Sequence, residues 1–377
     1  MPKIHSSIAC NLDSNILLAA LPLFQSEKVQ AIEWSFDALY RQSDIPPWFL
    51  ELLRIYSREK RLIGHGVFFS IFSGKWSEEQ IKWLKQLETH AKAFQFDHIT
   101  EHFGFMTGEN FHQGAPLSVP FNSTTLSIGI DRLKRMAQAC QCPVGLENLA
   151  FSYSLEEVKK HGIFLDQLLE PVNGFIILDL HNLYCQMHNF DIDFEAIIQL
   201  YPLERVREIH ISGGSWEDSM ANPEKRIRRD THDDAVPEAV FQILDTAIDK
   251  CPNLKYVVLE QLGSGLKDEE SKAQFREDFY RMNDMVLRKS KQQMAERTNH
   301  FKPEVHFELN KPTESQPLYE QQLALSAILE TASDFEQARN QLLQSCLAES
   351  DWKVENWEPQ MVETALQIAQ KWKNGFA

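Results

Sequence analysis

Acids and histidines stand at the ends of one short apolar run after another in this chain. The runs are Leu-Ile-Gly-His65, His-Ile-Thr-Glu101-His102, Val-Gly-Leu-Glu147-Asn148, Phe-Ile-Ile-Leu-Asp179, Val-Arg-Glu208-Ile-His210 and Tyr-Val-Val-Leu-Glu260. An ionisable group at the end of a buried run needs a counter-charge, a metal or a catalytic role. Further candidates follow two of the runs: His188, nine residues after Asp179, and Asp230-Thr231-His232, directly after a basic stretch. A single strand-end histidine is ordinarily a hydrogen-bonding core residue, and Glu147-Asn148 could be a loop-capping pair. Asp230-Thr-His232 is weak on its own, and His181 and His188 could be polar loop residues. Their joint occurrence points to a metal centre. Nine carboxylates and imidazoles at one place are more than one divalent ion takes, which suits two or three ions sharing carboxylates. Nitrogen and oxygen donors without cysteine favour iron, manganese or zinc. Glu101, Asn148, Glu208 and Asp233 are the expected outer partners, because a ligating imidazole hands its second N–H to a carboxylate or carbonyl.

The elements that must position these groups are legible in the same runs. Strands are expected at 4–10, 31–35, 62–69, 97–103, 143–149, 174–180, 206–212 and 255–261, with helix-period segments between them. Ser77-Glu-Glu-Gln80, Ser154-Leu-Glu-Glu157 and Ser333-Asp-Phe-Glu336 are capping-box starts, and a helix is expected from Ser123 to Ala139. Eight alternations predict an α/β fold, a (β/α)8 TIM barrel, whose chemistry sits at the C-terminal ends of the strands. A doubly wound open sheet would gather its site at one crevice instead. The barrel is expected over residues 1–290 and a connector over 291–316. A small helical C-terminal module is expected over 317–377, with helices at 318–330, 333–345 and 359–373.

Composition agrees with a large cored protein: 377 residues, 43% hydrophobic, 11% aromatic. A net charge of −16 argues against a nucleic-acid partner. Lys225-Arg-Ile-Arg-Arg229 is the one basic run, either a solvated loop or a contact for an anion or an acidic peptide. The six cysteines form no CxxC pair and read as reduced thiols. With no signal-like start and no stretch near the ~18 apolar residues of a span, a cytoplasmic protein without a membrane partner is expected. Gly263-Ser-Gly265 is no complete phosphate loop, since Asp268 stands in the third glycine's place. Glu147 with Glu260 could act as a glycosidase pair, but that leaves the histidines without a role.

Taken in order, His65-Gly66, Glu101-His102, Leu146-Glu147-Asn148, Leu178-Asp179-x-x-Asn182, His188-Asn189, Glu208-Ile209-His210, Asp230-Thr231-His232 and Glu260 resemble the motifs of the multinuclear non-heme iron-dependent oxidases. The resemblance covers roughly residues 1–265. It implies a xylose isomerase-like barrel holding two to three iron ions, with dioxygen as co-substrate. The reaction implied is oxidative modification of a cysteine, or another residue, of a ribosomally synthesised precursor peptide. A partner protein that recruits the peptide is also implied, and a homo-oligomer is left open. Carried over, Glu147, Asp179, His210 and Glu260 hold one iron and form the catalytic set. His65 and His102 hold a second, with Glu147 bridging, and Asn182, His188, Asp230 and His232 a third. The chain departs from the pattern at Ser212-Gly213-Gly214, where a further histidine is common, and at His181 and Asp233. Two other readings stand beside this one. One is a zinc- or manganese-dependent hydrolase or isomerase on the same barrel, and the other a non-catalytic, metal-containing peptide-binding protein.

Overall fold

The computed structural model describes residues 3–40, 45–107, 114–292, 297–303 and 307–373. Eight parallel strands close into a barrel: β1 (His5–Ala9), β2 (Ala31–Trp34), β3 (Leu62–Gly66), β4 (Phe96–Glu101), β5 (Val144–Glu147), β6 (Phe175–Asp179), β7 (Val206–Ile211) and β8 (Tyr256–Leu259), with β8 pairing back onto β1. Each is the short β-branched run seen in the sequence, now buried on both faces as parallel strands are. The register sets two candidate ligands side by side, Asp179 opposite His210. Gly145 is required by close approach, since a Cβ there would lie 2.6 Å from the Phe175 ring and 2.7 Å from its carbonyl oxygen.

Helices α1 (Ser14–Gln25), α2 (Pro47–Arg58), α3 (Glu78–Ala93), α4 (Ser123–Cys140), α5 (Leu155–Leu169), α6 (Leu180–Asn189), α7 (Phe194–Ile198), α8 (Glu238–Lys250) and α9 (Glu269–Gln292) connect the strands and follow the last. The Ser77–Gln80 box is complete. Ser154 caps Glu157 N, but the Glu157 carboxylate turns to Tyr153 N, so that box is half formed. The expected strand 62–69 stops at Gly66 because the next amides leave the sheet: Val67 and Phe68 donate to Asp37 Oδ2 at 2.9 and 2.8 Å.

Three further helices, α10 (Gln316–Thr331), α11 (Phe335–Leu343) and α12 (Pro359–Trp372), pack together and against the barrel loops. Asp334, not Ser333, caps α11, its side chain taking Gln337 N. Gln322 on α10 bonds Gly74 N and Phe72 O after β3, both at 2.8 Å. Trp357 stacks on Tyr153 after β5, with ring centroids 3.7 Å apart. Glu363 on α12 accepts from Ser219 Oγ, Met220 N and Ala221 N after β7. The C-terminal helices are thus tied to loops leaving three strands that carry candidate ligands. The expected connector lies partly outside the described residues. Its described part passes the opposite end of the barrel, where Phe301 packs on Phe175 and Arg207 donates to His300 O.

Candidate metal centre

The strand ends bring Glu147, Asp179, His210 and Glu260 together, with one ligand atom from each lying within 4.8 Å of the others. His65, His102 and Glu147 form a second group of the same kind. Glu147 belongs to both, because its Oε2 lies 3.4 Å from His65 Nε2 and 3.5 Å from His102 Nε2. His210 Nδ1 lies 3.1 Å from Glu260 Oε2.

Each side chain is held by its surroundings. His65 Nδ1 meets Thr100 Oγ1 at 2.8 Å; that hydroxyl donates to Gly64 O, so the imidazole is the donor and Nε2 is left for Glu147. Asp179 caps α6, accepting from Asn182 N with Oδ1, which leaves Oδ2 buried and unpartnered. Asn148 bridges Asp179 N and Asp179 O, fixing the strand end rather than an imidazole. Asn182 donates to Glu147 Oε1 at 3.1 Å and to Asn148 O at 2.8 Å.

Asp230 and His232 meet at 2.8 Å, and His232 Nδ1 is 3.8 Å from Glu260 Oε2. The His232 backbone is left-handed, with φ +52°. Asp230 also takes the second imidazole of the neighbourhood, His181 Nδ1, at 2.9 Å. Among the described residues His188 joins no group of three histidine, cysteine or carboxylate ligand atoms within 4.8 Å of one another. Its ring packs against Tyr184 and Trp216 at the far end of α6. Glu101 accepts from Phe69 N instead of an imidazole, and Asp233 from Thr231 Oγ1. In the basic run, Lys225 pairs with Asp191, Arg226 with Asp218, Arg229 with Glu217, and Arg228 donates to His181. Three of the four charges are thus answered by carboxylates, and Arg228 lies over the Tyr184 and Trp216 rings. His181 and Gly214, two departures from the expected motif, are in contact: a Cβ at 214 would lie 2.9 Å from the His181 ring.

Three buried residues near the centre were not anticipated. Glu33 on β2 faces His210 Nε2 at 3.2 Å. His98 on β4 meets Glu208 Oε2 at 2.5 Å. Asp37 gathers Val67 N, Phe68 N and Trp83 Nε1 just beyond His65. The available signal was a lone ionisable residue inside an apolar run, as in Ala-Ile-Glu33-Trp.

The electrostatics fit a cation. Burial alone would neutralise every group here. Burial opposes charge on His65, yet Glu33 and Glu147 outweigh it and raise the imidazole to about 10. His210 is likewise raised against burial by Glu260 and Glu33, and His232 by Asp230. Burial pushes Asp179 far above the usual carboxylate range, and the neighbouring Asp230 and Glu147 carboxylates add to it. Burial and the charge on His65 lower His102 to about 4. A crowded acid with a free buried oxygen, beside imidazoles held charged by their neighbours, is a donor set that bound cations would satisfy in place of protons. His102, Asp230 and His232 are the more open members, with side chains 29%, 22% and 21% exposed, so the approach from solvent is on their side.

A closed (β/α)8 barrel with such a cluster at the C-terminal ends of its strands defines a class of barrels with a candidate metal site. Within it, a family model described as RiPP precursor modification enzyme MbnB/TglH/ChrH matches residues 29–263, and the chain belongs to that family. Relatives named UPF0276 protein include one from Shewanella loihica, 24% identical over 191 residues, covering 51% of this chain and 66% of that one. Another, from Acaryochloris marina, is 26% identical over 230 residues, covering 58% and 76%. The chain spans 66% of the length of the Shewanella loihica relative and 62% of that of one from Shewanella oneidensis. Among solved structures, an L-ribulose 3-epimerase is similar at 13% identity, covering 79% of this chain and all of that one, with TM-score 0.48. A xylose isomerase-like TIM barrel protein from Mycobacterium smegmatis, in complex with magnesium, is similar at 12% identity, covering 74% and 97%, with TM-score 0.44.

Proposed function

We propose that this chain is a multinuclear non-heme iron-dependent oxidase that uses dioxygen to modify a cysteine, or another residue, of a ribosomally synthesised precursor peptide. The observation that carries the reading is the double membership of Glu147, shared between His65 and His102 on one side and Asp179, His210 and Glu260 on the other. A carboxylate flanked in this way is what two ions with a common bridge require. Family membership supports a peptide substrate.

Two to three irons are the proposed complement, held by His65, His102, Glu147, Asp179, His210 and Glu260, with Asp230 and His232 beside them. Iron bound there would supply one-electron exchange with dioxygen and a binding point for a substrate thiolate. The chain's own part is positional. Thr100 sets the tautomer of His65, and Asn182 fixes one oxygen of Glu147 while the other faces the imidazoles. Asp179 is anchored through its other oxygen to the start of α6. The open side, at His102 and His232, admits the peptide, and the buried walls keep water from the remaining ligands.

The test is elemental analysis of protein purified without oxygen from iron-supplied cells. Two to three irons per chain are expected. Zinc or manganese that survives iron supplementation would move the assignment to hydrolytic or isomerase chemistry.

A further inference from the structure

Deeper in the barrel, Glu33, Glu208 and His210 make a third convergence. His210 Nε2 lies 3.2 Å from Glu33 Oε2 and 3.4 Å from Glu208 Oε1, and all three residues are essentially inaccessible. None of these three atoms has a hydrogen-bond partner of ordinary alignment among the described residues. Three such atoms could enclose either a cation or a proton.

The other nitrogen of the same ring decides between them. His210 Nδ1 faces Glu260 at 3.1 Å, on the side of Glu147 and Asp179. A ring that served a cation on each nitrogen would have to give up both its protons, the second of which a neutral imidazole holds strongly. With Nδ1 committed to the mouth, Nε2 keeps its hydrogen, and the two carboxylates, 3.2 and 3.4 Å away, are the acceptors within reach of it. Glu208 is itself held from below: its Oε2 meets His98 Nε2 at 2.5 Å, and His98 Nδ1 lies 3.0 Å from Asp97. Asp97 is tied in turn to Arg207 at 2.7 Å and to Lys255.

We propose that Glu33 and Glu208 are positioning residues that share the Nε2–H of His210, fix its tautomer and present Nδ1 to a metal at the barrel mouth. The inference rests on the metal reading of the mouth; it adds Glu33 and assigns the expected outer partner Glu208 to a particular imidazole, His210.

The test uses full-length wild type, Glu33→Ala, Glu33→Gln and Glu208→Gln, stripped of metal and titrated with Zn2+ against a chelator. Ring 15N spectra are recorded on the zinc-loaded wild type. The expected wild-type spectrum has His210 bound through Nδ1 with a protected hydrogen on Nε2. Glu33→Ala and Glu208→Gln, which leaves one acceptor oxygen for the His98 and His210 rings together, are expected to weaken zinc binding by about 10–100-fold, the range for outer-sphere partners. Glu33→Gln, which keeps an acceptor oxygen, should recover part of that loss at unchanged circular dichroism, a pattern that a merely space-filling role would not give. Coordination through Nε2 would overturn the proposal, and so would variants that bind as tightly as wild type. Loss of one ion per chain in Glu33→Gln, with the rest held as tightly, would replace it with a cation site. The spectrum of the wild type stands even if a variant fails to fold. Wild type that binds no metal would overturn the function proposed above as well; loaded wild type with indifferent variants would overturn this inference alone.

Discussion

Asn182 and Glu147 are joined across the barrel mouth by a hydrogen bond of 3.1 Å from Nδ2 to Oε1. The same amide nitrogen donates to Asn148 O, so the carboxylate is fixed to the main chain of its own strand end and turns Oε2 to His65 and His102. Asn182→Ala should therefore weaken metal binding by about 10–100-fold with little change in folding. Chelator competition reads the affinity, and a thermal melt of the metal-free protein reads the fold. Equal affinities would mean that the barrel alone orients Glu147.

Glu147→Gln goes further, because it removes the charge that both groups of ligands share. Metal affinity should fall by more than the about 100-fold of an outer-sphere change. Peptide modification, followed as a mass shift, should disappear with it. Elemental analysis beside the mass assay checks both, and an active, fully loaded Glu147→Gln contradicts the assignment.

His161 offers a pH test away from the candidate ligands. It is buried on α5 against Phe103, accepts from Leu149 N at 3.3 Å, and burial lowers its imidazole to about 3. The unfolded chain takes up this proton near 6.5, so the folded protein binds fewer protons throughout the window from 6.5 down to about 3. Stability therefore falls as pH falls through that window, by at most about 1.4 kcal/mol per pH unit from this residue. Urea unfolding of wild type and His161→Gln between pH 7 and pH 4 should show the variant's curve to be shallower by about that slope. Parallel curves would show that His161 is already charged in the folded state.

The barrel was legible because its strands are short, continuous apolar runs, and parallel strands buried on both faces have no other pattern. The residues at the ends of those runs, such as Glu147, Asp179 and His210, could be placed because a strand delivers its last side chain to the mouth. A helix gives no such assurance. His188 is nine residues beyond Asp179, and at about 1.5 Å of rise per residue α6 carries it roughly 13 Å along the helix axis. Asn182, one turn in, stays beside the strand end. Glu33 was harder to find because its run ends in Trp34, so the acid sits inside the run and faces the barrel axis from one layer below. The C-terminal helices could be read, but their docking could not. Single side chains such as Gln322 and Glu363 make it to loop amides, and nothing in their spacing marks the partner.

Trp357 is the residue on which that docking turns. Its ring is stacked on Tyr153 with the planes inclined by 8°, its Nε1 donates to Trp352 O at 2.8 Å, and the next amide, Glu358 N, donates to Tyr153 O at 2.9 Å. Tyr153 ends the segment that leaves β5 directly after Glu147, so the stack links the C-terminal helices to a strand that carries a candidate ligand. Removing a buried indole typically costs about 3–5 kcal/mol. Trp357→Ala should release the helices first, exposing cleavage sites within 316–373 to protease while the barrel persists, and should loosen the segment after Glu147 enough to weaken metal binding several-fold. Trp357→Phe keeps a ring on Tyr153 and should stand between the two. If proteolysis and metal affinity both remained at wild-type values in Trp357→Ala, the helices would be held by the α10 and α12 contacts alone, and the Tyr153 stack would have no part in shaping the mouth.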